Sequence, residues 1–178
     1  MTPVEEVIAF WREVGPEGWY RGDAALDQKV RARFEGLWRA ARDGACADWM
    51  ESAEGALALI LLLDQFPRNM FRHEADAFAT DGLALEISKL AIEAGFDSQI
   101  PADRRQFLYM PFMHSECRAD QDMSVELFDR LGQADQLRYA IMHRDLIRRF
   151  GRFPHRNEIL GRQSLPEEIE AIAEGSNW

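Results

Sequence analysis

Four things are scarce in this chain, and each scarcity removes a class of explanation. Cysteine is the first: Cys46 and Cys117 stand far apart, with no CxxC pair and no framework of bridges. That excludes a disulfide scaffold and fits a reduced, cytoplasmic setting. Basic charge is the second. A formal net charge of -10 argues against a general binder of phosphate backbones, which needs an excess of Lys and Arg. No nucleic-acid partner is therefore predicted. Third, no apolar run approaches the roughly 18 residues that span a bilayer, and the start Thr2-Pro3-Val4-Glu5-Glu6 lacks the basic and apolar regions of a signal peptide. No membrane partner is predicted. Fourth, no stretch alternates with period two long enough to be a strand.

Chemical motifs are equally sparse. There is no HExxH, no Gly-rich phosphate loop and no glycine-flanked serine elbow around Ser115. No cofactor and no metal site is predicted on these grounds.

What is present reads as all-α, a single helical domain over residues 1–178. The organising stretch is Gly55 to Asn69. Eight consecutive apolar residues, Ala56 to Leu63, give way abruptly to Asp64-Gln65-Phe66-Pro67-Arg68-Asn69. A helix apolar on every side is buried on every side, so this segment is predicted at the centre, capped by Ser52 and ended by Pro67.

Around it the helical signals follow in order. Thr2, Pro3 and Glu5 form a capping box for a first helix, striped by Val7, Ile8 and Trp11 and ended by Gly15, Pro16 and Gly18. Asp23 caps a second, which Gly44 stops. A fourth helix is expected from about Ala75 to Ala94, packing through Leu83, Ile87, Leu90 and Ala91. Pro101 opens a fifth, kinked or ended at Pro111. Two more cover about Ala119–Leu131, packing through Met123, Leu127 and Leu131, and Ala134–Phe150. A last helix is capped by a Ser164/Glu167 box. Short connections predict antiparallel hairpins.

The polar candidates sit at helix ends. Phe66-Pro67-Arg68-Asn69 is echoed by Phe153-Pro154-His155-Arg156-Asn157, each directly after a predicted helix end. His143 shares a face with Tyr139, Met142, Leu146, Ile147 and Phe150 and should point inward. Asp81 is expected to be partly buried and held by Arg68 or Arg156. Asp145 should pair with Arg148 and Arg149. His114, Ser115 and Glu116 follow the Pro111 kink, where two side chains can share a site. Between Arg138 and Arg162 seven arginines face two carboxylates, Asp145 and Glu158, a basic end on an acidic body. Such an end suits an anionic ligand, or a second copy of the chain as a homodimer.

The segments Leu63-Asp64-Gln65-Phe66-Pro67-Arg68-Asn69, Phe78-Ala79-Thr80-Asp81, Tyr109 to Glu116, His143-Arg144-Asp145 and Arg149 to Asn157 together resemble the bacterial family called domain of unknown function 924. The resemblance runs from Val7 to Ser164. It implies a helical fold similar to tetratricopeptide-repeat (TPR) proteins, with helix pairs stacked around the buried central helix, and it implies no reaction.

Two functional readings follow. In one, the chain is a ligand- or peptide-binding scaffold whose polar cleft, lined by Gln65, Arg68, Asn69, His114, Arg152, His155, Arg156 and Asn157, grips an anionic small molecule or peptide through arginine forks. In the other it is a hydrolase or metal-assisted enzyme using His114, Glu116 and Asp64 as acid–base or ligand groups.

Overall fold

In the computed structural model, which describes residues 1–175, the central apolar run is the helix α3 (Ala53–Ile60), followed without a break by a wider turn over Leu61–Gln65 and by α4 (Phe66–Met70). Every residue from Gly55 to Pro67 is buried. Ser52 caps the rod as expected, its hydroxyl accepting the Gly55 N–H at 3.1 Å.

Pro67 does not end the rod. The helix runs on to Met70, and the wide turn explains how. A proline lacks the N–H that would bond the carbonyl four residues back, here Leu63, and its ring crowds that carbonyl. The turn opens to a five-residue repeat, in which Phe66 N–H donates to Leu61 O. The Leu63 carbonyl accepts instead from the Thr80 hydroxyl at 2.5 Å, and Thr80 Oγ in turn accepts the Trp38 indole N–H at 3.1 Å. All three residues are buried, so a side chain from elsewhere in the chain satisfies the carbonyl that the proline leaves open.

The described residues form two compact units, the first Met1–Arg72 with Asp76–Pro111, the second His73–Ala75 with Phe112 onward. In the first, α1 (Pro3–Trp19) and α2 (Ala24–Arg42) lie antiparallel, as the ion pairs Glu6–Arg33 and Glu13–Lys29 show. The capping box at Thr2 and the Asp23 cap are as predicted. Gly15 kinks α1 at φ 69° rather than ending it, and the chain resumes helical geometry as far as Trp19. Phe10, Phe34 and Phe66 meet edge-on or tilted, with centroids 4.8–5.9 Å apart, and fix α1 and α2 to the rod.

The expected fourth helix is shorter than its pattern. A 3₁₀ turn at Ala75–Phe78 precedes α5 (Asp81–Glu93). It packs through Ala84, Leu85, Ile87, Ser88 and Ala91, while Leu83 and Leu90 are exposed. Small residues let the helix approach closely, and the two leucines fall beside the contact. Ser88 donates to the Leu108 carbonyl of α6 (Ala102–Met113). From Gln106 to Met113 every residue of α6 is buried. Pro111 lies inside it, and the helix ends two residues later.

In the second unit, α7 (Arg118–Leu131) and α8 (Ala134–Phe150) pair as an antiparallel hairpin, with Arg148 reaching Asp122 at 2.7 Å. Gly132 and Gly151 close their ends at φ 75° and 72°. Met123 is exposed on α7, and buried Gln121 and Ser124 take the inner face with Leu127 and Phe128. Asp145 pairs with Arg144, not with Arg148 or Arg149. The last helix, α9 (Pro166–Ala173), is capped one residue later than predicted: Glu168, not Glu167, reaches back to the N–H of Leu165 at 2.8 Å. Pro166 at the first helical position sets that register. Among the described residues there is no strand, and no helix is long and apolar enough to cross a membrane.

A Cβ at Gly55 would lie 2.0 Å from the Trp49 backbone oxygen, in a 3₁₀ turn (Ala47–Glu51) that crosses the start of α3. Backbone cannot step aside as a side chain can. Gly55→Ala is therefore expected to lower stability by about 1–3 kcal/mol, as overpacking does, read as an earlier urea midpoint. Thr80→Val keeps shape and removes both hydrogen bonds. Its expected cost is also about 1–3 kcal/mol, and an unchanged midpoint would contradict the account of Pro67.

Candidate functional site

The predicted site residues fall into both units. In the first, Arg68 leaves α4 toward the N-terminus of α5 and forms a two-pronged pair with Asp81, Nη1 to Oδ1 at 2.9 Å and Nη2 to Oδ2 at 3.0 Å. Asp81 thus has the arginine partner expected for it. The same guanidinium donates to the Asp64 backbone oxygen at 2.6 Å and approaches its carboxylate at 3.4 Å. Burial works against the Arg68 charge, and the Asp81 and Asp64 carboxylates outweigh it and hold the group protonated. Asp64 is wholly buried and accepts from Gln65 Nε2 at 2.6 Å, while that amide nitrogen also meets Met110 sulfur. Asn69 donates to Asp27 at 2.8 Å, where Arg72 also binds with both prongs. This is an ion-pair network that welds α4 to α2 and α5. Arg68 spends its fork on protein carboxylate.

In the second unit His143, His155 and Arg156 lie against one ring, that of Phe153, which is fully buried, and His114 stands beside His143. His143 meets the Phe153 ring edge-on at 5.4 Å, His155 lies tilted to it at 5.6 Å, and the Arg156 guanidinium lies over it at 4.6 Å. His114 stands 6.4 Å from His143, and its carbonyl accepts from Arg156 Nη2 at 3.1 Å. His143 points inward as the sequence predicted, its Nδ1 2.8 Å from Tyr139 O. Burial first, then the neighbouring charge of His114, lowers its pKa to about 3, against the pull of the Tyr139 carbonyl; His155 and Arg156 push the same way. The imidazole is neutral, at the centre of a basic group of side chains.

The carboxylates near this cluster are occupied. Glu116 accepts from both prongs of Arg162 at 2.8 and 3.0 Å and from Phe153 N–H at 2.7 Å. Burial raises its pKa, but the Arg162 and Phe153 hydrogen bonds outweigh that and keep it ionised. Arg152 grips buried Glu168 in the same way, at 2.7 and 2.8 Å, and Asn157 donates to Glu168 at 3.1 Å. Of the residues predicted to bind an anion in this unit, Arg152 and Asn157 therefore hold the start of α9. Of the others, His155 and Arg156 lie against Phe153, and His114 lies beside His143. Among the described residues no three His, Cys, Asp or Glu side chains stand close enough to share a metal ion.

Sequence reasoning did not single out Arg162, Glu168 or Gln121. Gln121 donates to the Met113 and Ser115 carbonyls at 2.7 and 2.6 Å and so closes the end of α6. Arg162 was visible only as one of many arginines, and its partner lies 46 residues away. Glu168 had a signal, since Pro166 marks the first helical turn and places Glu168 as its reaching carboxylate.

A family model described as bacterial protein of unknown function (DUF924) matches residues 7–176. Among solved structures, a protein of unknown function from Agrobacterium tumefaciens is 44% identical, with a TM-score of 0.93 and 97% of each chain covered. No curated protein matches the chain.

The two perturbed acidic-side groups give separable pH effects. His143 is neutral when folded and has an ordinary pKa of about 6.5 when unfolded. Stability should fall as pH drops below about 6.5 and continue to fall to about 3. Glu168, held by Arg152 at about 2, contributes stability above its unfolded pKa of about 4.3 that is lost as pH falls toward 2. In chemical denaturation, His143→Gln is expected to flatten the profile between pH 6.5 and 4.5, and Glu168→Gln only below that range.

Proposed function

The chain belongs to the bacterial family of proteins of unknown function DUF924, and from that premise we propose that it is a binding protein for an anionic group of a small molecule or peptide. The observation that carries this is the gathering of His143, His155 and Arg156 against Phe153, with His114 beside His143. Arginine is the side chain that grips carboxylate or phosphate through two parallel hydrogen bonds, and the aromatic face beneath it holds its plane. Imidazoles add ring N–H donors. In a chain of net charge -10, such a basic locus attracts an anion against the field of the rest of the protein.

The hydrolytic alternative draws on Glu116 and Asp64, and both are engaged. Glu116 is ionised and doubly held by Arg162, and Asp64 is fully buried against Gln65 and Arg68. A carboxylate fixed in this way is a poor proton shuttle, which favours binding over turnover. The antiparallel pairs α1/α2 and α7/α8 support reading the scaffold as TPR-like. Two free cysteines, Cys46 and Cys117, support a cytoplasmic setting.

Thermal-shift and calorimetric titration with di- and tricarboxylates, sugar phosphates and acidic peptides tests this. The expected result is a saturable ligand whose affinity falls about tenfold or more in Arg156→Met, the loss of one charge-assisted hydrogen bond. His155→Ala should weaken it by a smaller factor. Equal affinity in wild type and both variants would place the ligand elsewhere.

A further inference from the structure

A second place in the molecule collects donors and offers them nothing. It lies in the first unit, where α1, α3 and α6 meet. Trp11 is 2% exposed, and its indole N–H finds no acceptor among the described residues. Arg104 Nη1 is buried and likewise finds none. Both residues line the same narrow cleft, whose other walls are mainly apolar: Ile8, Trp19, Leu57, Leu61 and Phe107. Buried polar groups are almost always satisfied, and the neighbouring indoles obey that rule. Trp19 Nε1 donates to Trp11 O at 2.8 Å and Trp38 Nε1 to Thr80.

Charge points the same way. The arginines that hold the core, Arg68, Arg152 and Arg162, are each matched to a carboxylate with both prongs. Arg12, which also lines the cleft, and Arg104 have no ion-pair partner among the described residues. The inner cleft is lined by no carboxylate, so buried Trp11 Nε1 and Arg104 Nη1 meet only apolar walls and the exposed side chain of Arg12 there. Ile8 and Arg12 also border an open groove of about 460 Å³ that continues over Met1 and Ala9 and is flanked by Glu5 and Glu54. The inner cleft, about 10 Å³, has room for one oxygen-sized group.

We propose that this cleft binds a small carboxylate, one oxygen seated between Trp11 Nε1 and Arg104 with Arg12 closing over the other, and an apolar tail lying in the groove across Ile8 and Ala9. Carboxylate fits better than phosphate because the entrance is narrow and its walls are apolar. A planar head presents two oxygens to two guanidiniums, whereas a phosphate would bury further oxygens against Leu57 and Phe107 without donors. The site is separate from the Phe153 cluster and does not depend on it.

The test uses the full chain labelled with ¹⁵N, read at the tryptophan indole N–H signals. Trp11→Phe keeps an aromatic ring without the N–H and identifies the Trp11 signal by its disappearance. Titration of the wild type with 3-methylbutanoate should move that signal downfield and saturate, and the Trp38 signal should stay still. Arg104→Gln and Arg12→Gln should each weaken the apparent affinity about tenfold or more. His155→Ala should leave it unchanged, which separates this site from the one around Phe153. Acetate should bind more weakly, for want of a tail, and inorganic phosphate more weakly still. A Trp11 signal that does not respond, or that follows chloride equally at matched ionic strength, would overturn the proposal and leave a single water as the occupant. Tighter binding of phosphate than of 3-methylbutanoate would overturn the choice of carboxylate.

Discussion

The first unit depends on one carbonyl oxygen. Pro67 sits in a buried helix where no water can reach the backbone it disrupts, so the Leu63 carbonyl must find a donor within the protein. Thr80 supplies it, held in place by the indole of Trp38. That single contact ties together α2, the central rod and the start of α5. The ion pair between Arg68 and Asp81 sits on the next turn of the same helix and inherits its position from it.

Buried charge is handled in the same manner throughout. Arg68 with Asp81, Arg162 with Glu116 and Arg152 with Glu168 are all two-pronged pairs, each joining segments distant in sequence. Desolvating two charges gains little net stability even when they are well matched, but removing one partner strands the other. These forks therefore specify where loops and helix ends sit more than they strengthen the fold. They also set these three arginines apart from Arg156, which lies over Phe153 and donates to the His114 carbonyl, and from Arg12 and Arg104, which line the cleft at Trp11.

The sequence was most legible where local chemistry decides. The Thr2 capping box, the Asp23 and Ser52 caps, the Gly151 stop and the complete burial of Ala56–Leu63 all follow from residues within one or two turns of each other. It misled where a distant group overrides a local rule. Pro67 reads as a helix end because Thr80, thirteen residues on, is not part of the local pattern. Leu83 and Leu90 read as core because size was taken for burial, while α5 packs through Ala84, Ser88 and Ala91. For the candidate sites, residue types were visible and pairing was not. Arg152 and Arg156 look alike in sequence, and only the position of Glu168 assigns the first to structure. Trp11 was read as one member of an apolar stripe, because a stripe shows which way a ring faces and not whether its nitrogen is met.

The wide turn at Leu61–Gln65 has a geometric consequence of its own. Each helical residue advances the phase by roughly 100°, so a turn holding one residue more rotates everything after it by about that angle around the axis. The Ala53–Ile60 segment and the Phe66–Met70 segment are thus two helices sharing one axis but clocked differently. With the regular repeat restored, the Arg68 guanidinium would project about a quarter of a circle away from Asp81. The loosened turn is what aims it.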